Sequence, residues 1–451
     1  METVIQSTED QLIPALTFSL PKSAKYLIDR KSVTFWPTGS TTYKASSGTK
    51  VIKFQLNSQD WIDPSSVRIM FDLVNDDQAA AKYVRPLSGP HSFFRRLRIS
   101  CGGTLVEDFD YNRTHQMFQI MTSSHNREND DIEGFGYRSD TVAPNANHTV
   151  NSLPGIPGAG GKQTVGFKLL SGLLNQPKFL PLKYMGNLTI ELELVMNAND
   201  PVVRPGVDLP NNGAAVPVPI FTTTNTTDDW SIQNVQLKCD VVTLDSGLQN
   251  NYDEHVLNGG KLPIHYNTYI TQQQAVSGTD ISVNVSRAIT RLKSIFVTFY
   301  KAPGTERAEN KEWLDFVHPM NDSATYNSGY ELEIQAQIGS KLLPEYPVRS
   351  VSESFAQLKK SMGIMGSNFH SMSITPVQYR NEHFVFGIDC EKALGVGYTG
   401  INSRSGDLLT IRVKALDKTV LNDTKMPTQM HILLHSDQML EVSDSSTTVF
   451  D

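Results

Sequence analysis

Tyr330-Glu-Leu-Glu-Ile-Gln-Ala-Gln-Ile-Gly-Ser-Lys-Leu-Leu343 reads as a strand, a glycine turn and an apolar pair. Its apolar residues, Leu332, Ile334, Ala336 and Ile338, fall on every second position, which puts them on one face of a β-strand. The same order stands earlier in the chain as Leu97-Arg-Ile-Ser-Cys-Gly-Gly-Thr-Leu-Val106. A segment with apolar residues near a 3.6 period follows each copy, and the spacing predicts helices over 111–121 and 351–362.

Outward from these two stretches the match continues. Leu292–Tyr300 parallels Val67–Val74, Leu408–Leu416 parallels Leu188–Val195, and Met430–His435 parallels Val235–Val242, at offsets of roughly 190 to 240 residues. Identity between the copies is weak. The repeated order of four strands and one helix is the stronger signal, and it points to a duplicated β unit of about 200 residues. Strand-like runs also occur at Val33–Trp36, Val51–Leu56 and Val165–Leu169, all short and rich in branched or aromatic residues. Two polar, Gly/Pro-rich stretches, 123–163 and 197–229, read as long surface loops between strands. Residues 244–260, with Asp245-Ser246 as an N-cap and Gly259-Gly260 as a stop, read as a short helix or turn joining the copies.

Composition narrows the function. A length of 451 residues allows two or three domains. Only 19% of residues are charged, and Ser, Thr, Asn and Gly fill the gap, which suits an all-β chain with many turns. A formal charge of −7 argues against a chain that coats nucleic acid. No apolar run reaches the ~18 residues needed to span a membrane. The start, Met-Glu-Thr-Val-Ile-Gln, has no basic and apolar leader and predicts synthesis in a cytosol-like compartment. N-x-Ser/Thr triplets such as those at Asn112, Asn187 and Asn284 are then chance matches in an Asn/Thr-rich chain. Cys101, Cys239 and Cys390 stand apart, at neither metal nor redox spacing, and read as buried filler. In Arg95-Arg96-Leu97-Arg98, alternation puts Arg96 and Arg98 on one strand face, solvated or in contact with another subunit, and Leu97 with Ile99 on the other.

Catalytic patterns are missing. Gly155–Lys162 resembles a phosphate loop, but Gln163 follows Lys162 where a hydroxyl is required, and Pro157 removes a backbone donor. His431 and His435 lie in a predicted strand, where four residues of separation is about 13 Å. Asp130, Asp131 and Glu133 lack the EF-hand pattern and read as a solvated loop. The reading names no catalytic, cofactor-binding or metal residue.

Pro90-His-Ser-Phe-Phe-Arg-Arg-Leu-Arg-Ile-Ser-Cys-Gly-Gly-Thr-Leu-Val-Glu-Asp-Phe-Asp-Tyr-Asn-Arg-Thr-His-Gln-Met-Phe118 resembles the first barrel of double jelly-roll major capsid proteins, in the manner of polinton-like viruses, adintoviruses and related small DNA viruses. The resemblance rests on Phe93-Phe94, Gly102-Gly103, Val106-Glu107-Asp108 and Tyr111-Asn112-Arg113. The stretches Asn251–His255, Leu262–Ile264 and Met430–Leu434 are similar to that family too. It implies an all-β fold of two tandem eight-stranded jelly-roll barrels with long inter-strand loops and a few short helices. The expected divisions are an N-terminal arm (1–29), a first jelly roll (30–243), a linker (244–262), a second jelly roll (263–442) and a C-terminal tail (443–451). It also implies a structural protein of the virion and no enzyme. Homotrimers would form pseudo-hexagonal capsomers that touch neighbouring capsomers and tile an icosahedron around double-stranded DNA. A penton protein and minor or cement proteins would be partners, with no sequence-specific nucleic acid, no membrane span and no cofactor. Two other readings stay open: a virion-surface β-sandwich that binds a receptor or glycan through loops such as 221–229, and a cupin-type enzyme, which needs a His-rich metal site.

Overall fold

A computed structural model of the chain describes residues 26–46, 49–135, 155–203, 205, 226–278, 280–300, 316, 318, 332–365, 372–381, 383–391, 399–403, 408–415, 427–444 and 446–450. Eight main strands build the first half: β1 Leu27–Phe35, β2 Val51–Leu56, β3 Trp61–Asn75, β4 Phe94–Cys101, β5 Thr104–Asp110, β6 Lys162–Lys168, β7 Leu188–Leu194 and β8 Trp230–Leu244. Eight more build the second: β9 Leu262–Ala275, β10 Asp280–Val285, β11 Leu292–Tyr300, β12 Leu332–Ile338, β13 Lys341–Val348, β14 Val385–Asp389, β15 Leu409–Ala415 and β16 Gln429–Ser443. A last strand, β17, spans Ser446–Phe450. Helix α1 covers Tyr111–Met121, α2 Ser124–Glu133, α3 Ser246–Leu257 and α4 Val351–Ser361.

The sheet orders make the duplication explicit. The first half pairs β1-β8-β3-β6 in one sheet and β2-β7-β4-β5 in the other. The second half pairs β9-β16-β11-β14 and β10-β15-β12-β13. Adding eight to every strand number of the first half gives the second, and this antiparallel order is that of a jelly roll. Every strand pair matched between the copies in the sequence falls on corresponding strands. In both rolls an isoleucine sits mid-way along the seventh strand: Ile190 lies opposite Phe54 and Ile99, and Ile411 lies opposite Val283 and Ala336. Period-two burial holds these sheets face to face, as in β12, where Leu332, Ile334, Ala336 and Ile338 are all buried.

Each core is apolar and aromatic. Phe71 meets Phe94 edge-on with ring centroids 5.6 Å apart, and Phe93 meets Trp230 at 4.8 Å. Burying such a side chain contributes about 1.5–3 kcal/mol. Between β4 and β5 the chain reverses at Gly102 (φ 52°) and Gly103 (φ 87°), left-handed angles that a two-residue hairpin demands and glycine meets at least cost.

Three elements differ from the sequence reading. The stretch from 123, expected as loop, begins with α2: Ser123 caps it by accepting a hydrogen bond from Asn126 N, and the helix lacks the apolar face that periodicity detects. Residues 136–154 of that stretch lie outside the described residues. Strand β1 starts at Leu27, inside the expected arm, and most of its side chains are exposed because it is an edge strand, so no alternation marks it. The expected tail folds back as β17, antiparallel to the end of β16. Residues 1–25 of the expected arm and most of the loop 197–229, including 221–225, lie outside the described residues.

Candidate functional site: the seam between the two rolls

What converts two jelly rolls into one building block is the seam where they meet. Strand β9 opens the second roll and pairs with β16 on one side only. Its other side runs along β5 and along the turn at Gly172–Asn175, both from the first roll. The cores interlock here. Met117, Ile120 and Met121 of α1 belong to the second roll's core, while Ile264, Tyr266, Leu440 and Val442 belong to the first's. Phe118 meets Tyr269 at a tilt with centroids 5.2 Å apart and Phe296 edge-on at 6.1 Å, and Phe109 meets Tyr269 edge-on at 5.7 Å.

Two carboxylates of β5 face this seam. Glu107 is buried, at 2% exposure. Its carboxylate accepts from Ser171 Oγ, from Gly172 N at 2.9 Å and from Thr268 Oγ1 at 3.3 Å, so one side chain joins three segments across both rolls. None of these donors carries a charge. Burial therefore pushes the Glu107 pKa up to about 7, with Ser171 and Gly172 only partly opposing. Gly172 is required by close approach: a Cβ there would stand 1.4 Å from the carbonyl oxygen of Asn267 on β9.

Asp110 lies three residues further along β5, at its end. Its N–H donates to Thr271 Oγ1 at 2.9 Å, and its carboxylate accepts from the Gln273 amide. Burial raises its pKa to about 6, with Arg113 and Arg95 opposing. The Arg113 guanidinium lies 3.1 Å from the centre of the Tyr300 ring, a cation–π contact inside the seam. Beneath Asp110, Gln273, His431 and Thr298 form a row across β9, β16 and β11. His431 stands 3.9 Å from Asp110, and burial with Arg113 nearby lowers its pKa to about 3. His435 is lowered to about 4 by burial and by Lys293. A groove of about 670 Å³ runs between β5 and β9 and reaches Asp110 and Gln273, with Arg95, Asp108 and Arg287 also on its lining.

At the opposite end of the seam, β17 straps the second roll to the first. Thr447 Oγ1 donates to the Cys101 carbonyl at 2.7 Å, and Thr104 Oγ1 donates to the Thr447 carbonyl at 3.0 Å. Helix α3, capped by Asp245 through Gly247 N, is tied to the first roll by Trp61 Nε1 on Gln249 Oε1 at 3.1 Å and Tyr184 Oη on Asp253 Oδ1 at 2.6 Å.

The residues singled out in the sequence take ordinary places. Arg96 and Arg98 are exposed and pair with Asp108, over buried Leu97 and Ile99. The three cysteines are buried. Lys162 pairs with Asp72 at 3.2 Å, and Glu133 ends α2 paired with Arg68. His431 and His435 lie along β16 as expected. Among the described residues, no three His, Cys, Asp or Glu side chains come together as metal ligands, and no helix is long and apolar enough to cross a membrane. The seam pair Glu107 and Asp110 was not legible as a pair. Its only sequence signal is an acid sharing a strand face with buried Phe109.

Solved structures follow the same path almost from end to end. The Sputnik virophage structure aligns with a TM-score of 0.59 over 98% of this chain and 92% of its own, at 10% identity. The double jelly roll is the fold of this chain. The capsid of the virus PBCV-1 aligns with the double jelly roll at a TM-score of 0.58, over 96% of this chain and all of that one, at 11% identity. The Faustovirus major capsid protein gives 0.58 over 96% and 93%, also at 11% identity. At such identities the likeness is one of fold. No protein-family model and no curated protein sequence matches the chain.

Proposed function

We propose that this double jelly roll is the major capsid protein of an icosahedral double-stranded DNA virus. Three copies close into a capsomer in which six rolls give a pseudo-hexagonal outline. Capsomers tile the shell, with a penton protein at the vertices and minor or cement proteins between them. The observation that carries this reading is the doubled strand order with an interlocked seam: one chain supplies two similar walls held at a set angle, the geometry needed to make a hexagon from a trimer. Viral capsid structures of the same fold over nearly the whole chain support it. So do exposed apolar side chains that suit contact with neighbours, such as Ile28 (65% exposed), Trp36 (58%) and Tyr346 (78%). On this reading the chain acts as a structural protein in the virion and not as an enzyme, and the helical linker at 246–257 separates a first roll that begins with β1 at Leu27 from a second that begins with β9 at Leu262.

Mass photometry with negative-stain microscopy tests the proposal. Three chains of 50.1 kDa give a particle of about 150 kDa with a hexagonal outline. A compact particle of a single chain's mass refutes it and favours a receptor- or glycan-binding β-sandwich.

A further inference from the structure

We propose that Glu107 is a pH-responsive latch on the seam: its neutral carboxyl ties β5 to β9 and to the turn at Ser171-Gly172, and its ionisation loosens β9 from the first roll. The inference rests on the seam itself and stands whether or not the chain builds a capsid.

The geometry restricts what Glu107 can do. Its carboxyl reaches uncharged hydroxyl and amide donors: Ser171 Oγ, Gly172 N, Leu173 N and Thr268 Oγ1. In the neutral form the acid proton is donated to Ser171 Oγ. In the ionised form Ser171 donates instead, so the contacts persist while an anion without a cationic partner is held inside. The titratable groups that sense Glu107 from the elements packed on it are the Cys101 thiol on β4 and the Tyr269 phenol on β9. Burial raises both, Cys101 to about 12, so neither changes charge near neutral pH. From β16, Gln438 enters the same region through Tyr266 and is uncharged. On β5 itself, Asp108 turns outward to Arg96. The next charged set, Asp110, Arg95, Arg113 and His431, lies toward the other end of the strand. Strand β9 is also the natural place to give way, because β16 pairs with one side of it and the first roll alone supports the other.

The sign follows from proton linkage. Glu107 binds its proton more tightly folded (pKa about 7) than unfolded (about 4.5), so seam stability falls as pH rises through that window. Between about pH 6 and about pH 8.5 the linkage relation gives a rise of about tenfold in the opening constant of a seam that exposes Glu107.

Hydrogen exchange on the full chain reads this directly. Amides of residues 266–271 in β9 are followed in wild type and Glu107→Gln at both pH values, corrected for intrinsic exchange. The ratio of wild-type to E107Q opening constants cancels the titration of Asp110, His431 and His435. The latch predicts that this ratio rises about tenfold between about pH 6 and about pH 8.5. A ratio that stays within about twofold overturns it. Should E107Q fail to fold, Ser171→Ala and Thr268→Val keep the carboxyl but remove donors that favour the anion. Both move the midpoint of the wild-type opening curve to higher pH, and an unmoved midpoint in both also overturns the latch.

Discussion

Replacing Gly172 by alanine tests the seam at its tightest point. The added Cβ would stand 1.4 Å from the Asn267 carbonyl oxygen, 2.5 Å from its carbon and 3.0 Å from Glu107 Oε1. Ordinary carbon contacts need about 3.5 Å, so β9 must retreat by roughly 2 Å. That retreat carries Thr268 Oγ1, now 3.3 Å from Glu107, out of hydrogen-bond reach. Overpacking of this kind costs about 1–3 kcal/mol, and a buried carboxylate that loses a donor costs about 1–3 kcal/mol more. The expected loss is therefore about 2–6 kcal/mol, measured by urea denaturation of the purified chain. Gly103→Ala is the control. It adds a Cβ at φ 87° with nothing within 4 Å, so it should lose only the 1–2 kcal/mol of a left-handed alanine, to order of magnitude. If Gly172→Ala costs no more than this control, the seam is not close-packed at Asn267 and the account of it given above is wrong.

Other perturbations probe separate parts of the molecule. Arg113→Met removes the cation beside half-buried Asp110 and should cost about 2–4 kcal/mol at neutral pH, while Asp110→Asn in the same chain should recover part of it; additive costs in a double-mutant cycle would refute the coupling. Thr447→Val should lower stability by about 1 kcal/mol through the lost bond to Cys101, and truncation after Ser443 should lower it further, both read as thermal midpoints. His431, with its folded pKa near 3, binds fewer protons folded than unfolded above that pH, so stability falls as pH drops below the unfolded value of about 6.5. Between about pH 6.5 and about pH 5 this amounts to about 2 kcal/mol, a slope that His431→Leu should remove. Residues 1–25 are expected to clamp neighbouring subunits by ordering on assembly, so deleting them should leave trimers intact and impair shell formation; normal shells from the shortened chain would refute that role.

Much of the fold was readable because strand patterning is local. Leu188–Val195 and Leu408–Leu416 show their inward faces by alternation alone, and both prove to be the seventh strand of a roll. What escaped reading depends on partners distant in sequence. Strand β1 has an exposed face on an edge, so Leu27–Ser32 carries no period. Strand β17 is specified by β16 and by Cys101, about 350 residues away, which no window along the chain contains. Helix α2 has one apolar residue, the exposed Ile132, and betrays itself only by the cap at Ser123. The seam was hidden for the same reason: Glu107, Gly172 and Thr268 look like an isolated acid, a loop glycine and a strand threonine until folding brings them together. The cap at Asp245, by contrast, was legible, because a helix start is written within a few residues.

The antiparallel order gives the molecule a direction. Strands β1 and β9 leave from one end of their rolls and β8 and β16 return to it, so the chain at Tyr26, the linker helix and the strap at 446–450 all gather there. The strand ends at Asp110, Leu194, Tyr300 and Val348 and the strand starts at Lys162, Trp230, Leu332 and Val385 all lie at the other end. A fusion made at Leu27 and a peptide inserted after Leu194 or Tyr300 therefore leave from opposite poles of the same subunit. For a protein engineer this is a two-sided scaffold: one pole can carry cargo while the other displays an epitope, with about 80 buried apolar residues, counted among the described ones, insulating one modification from the other.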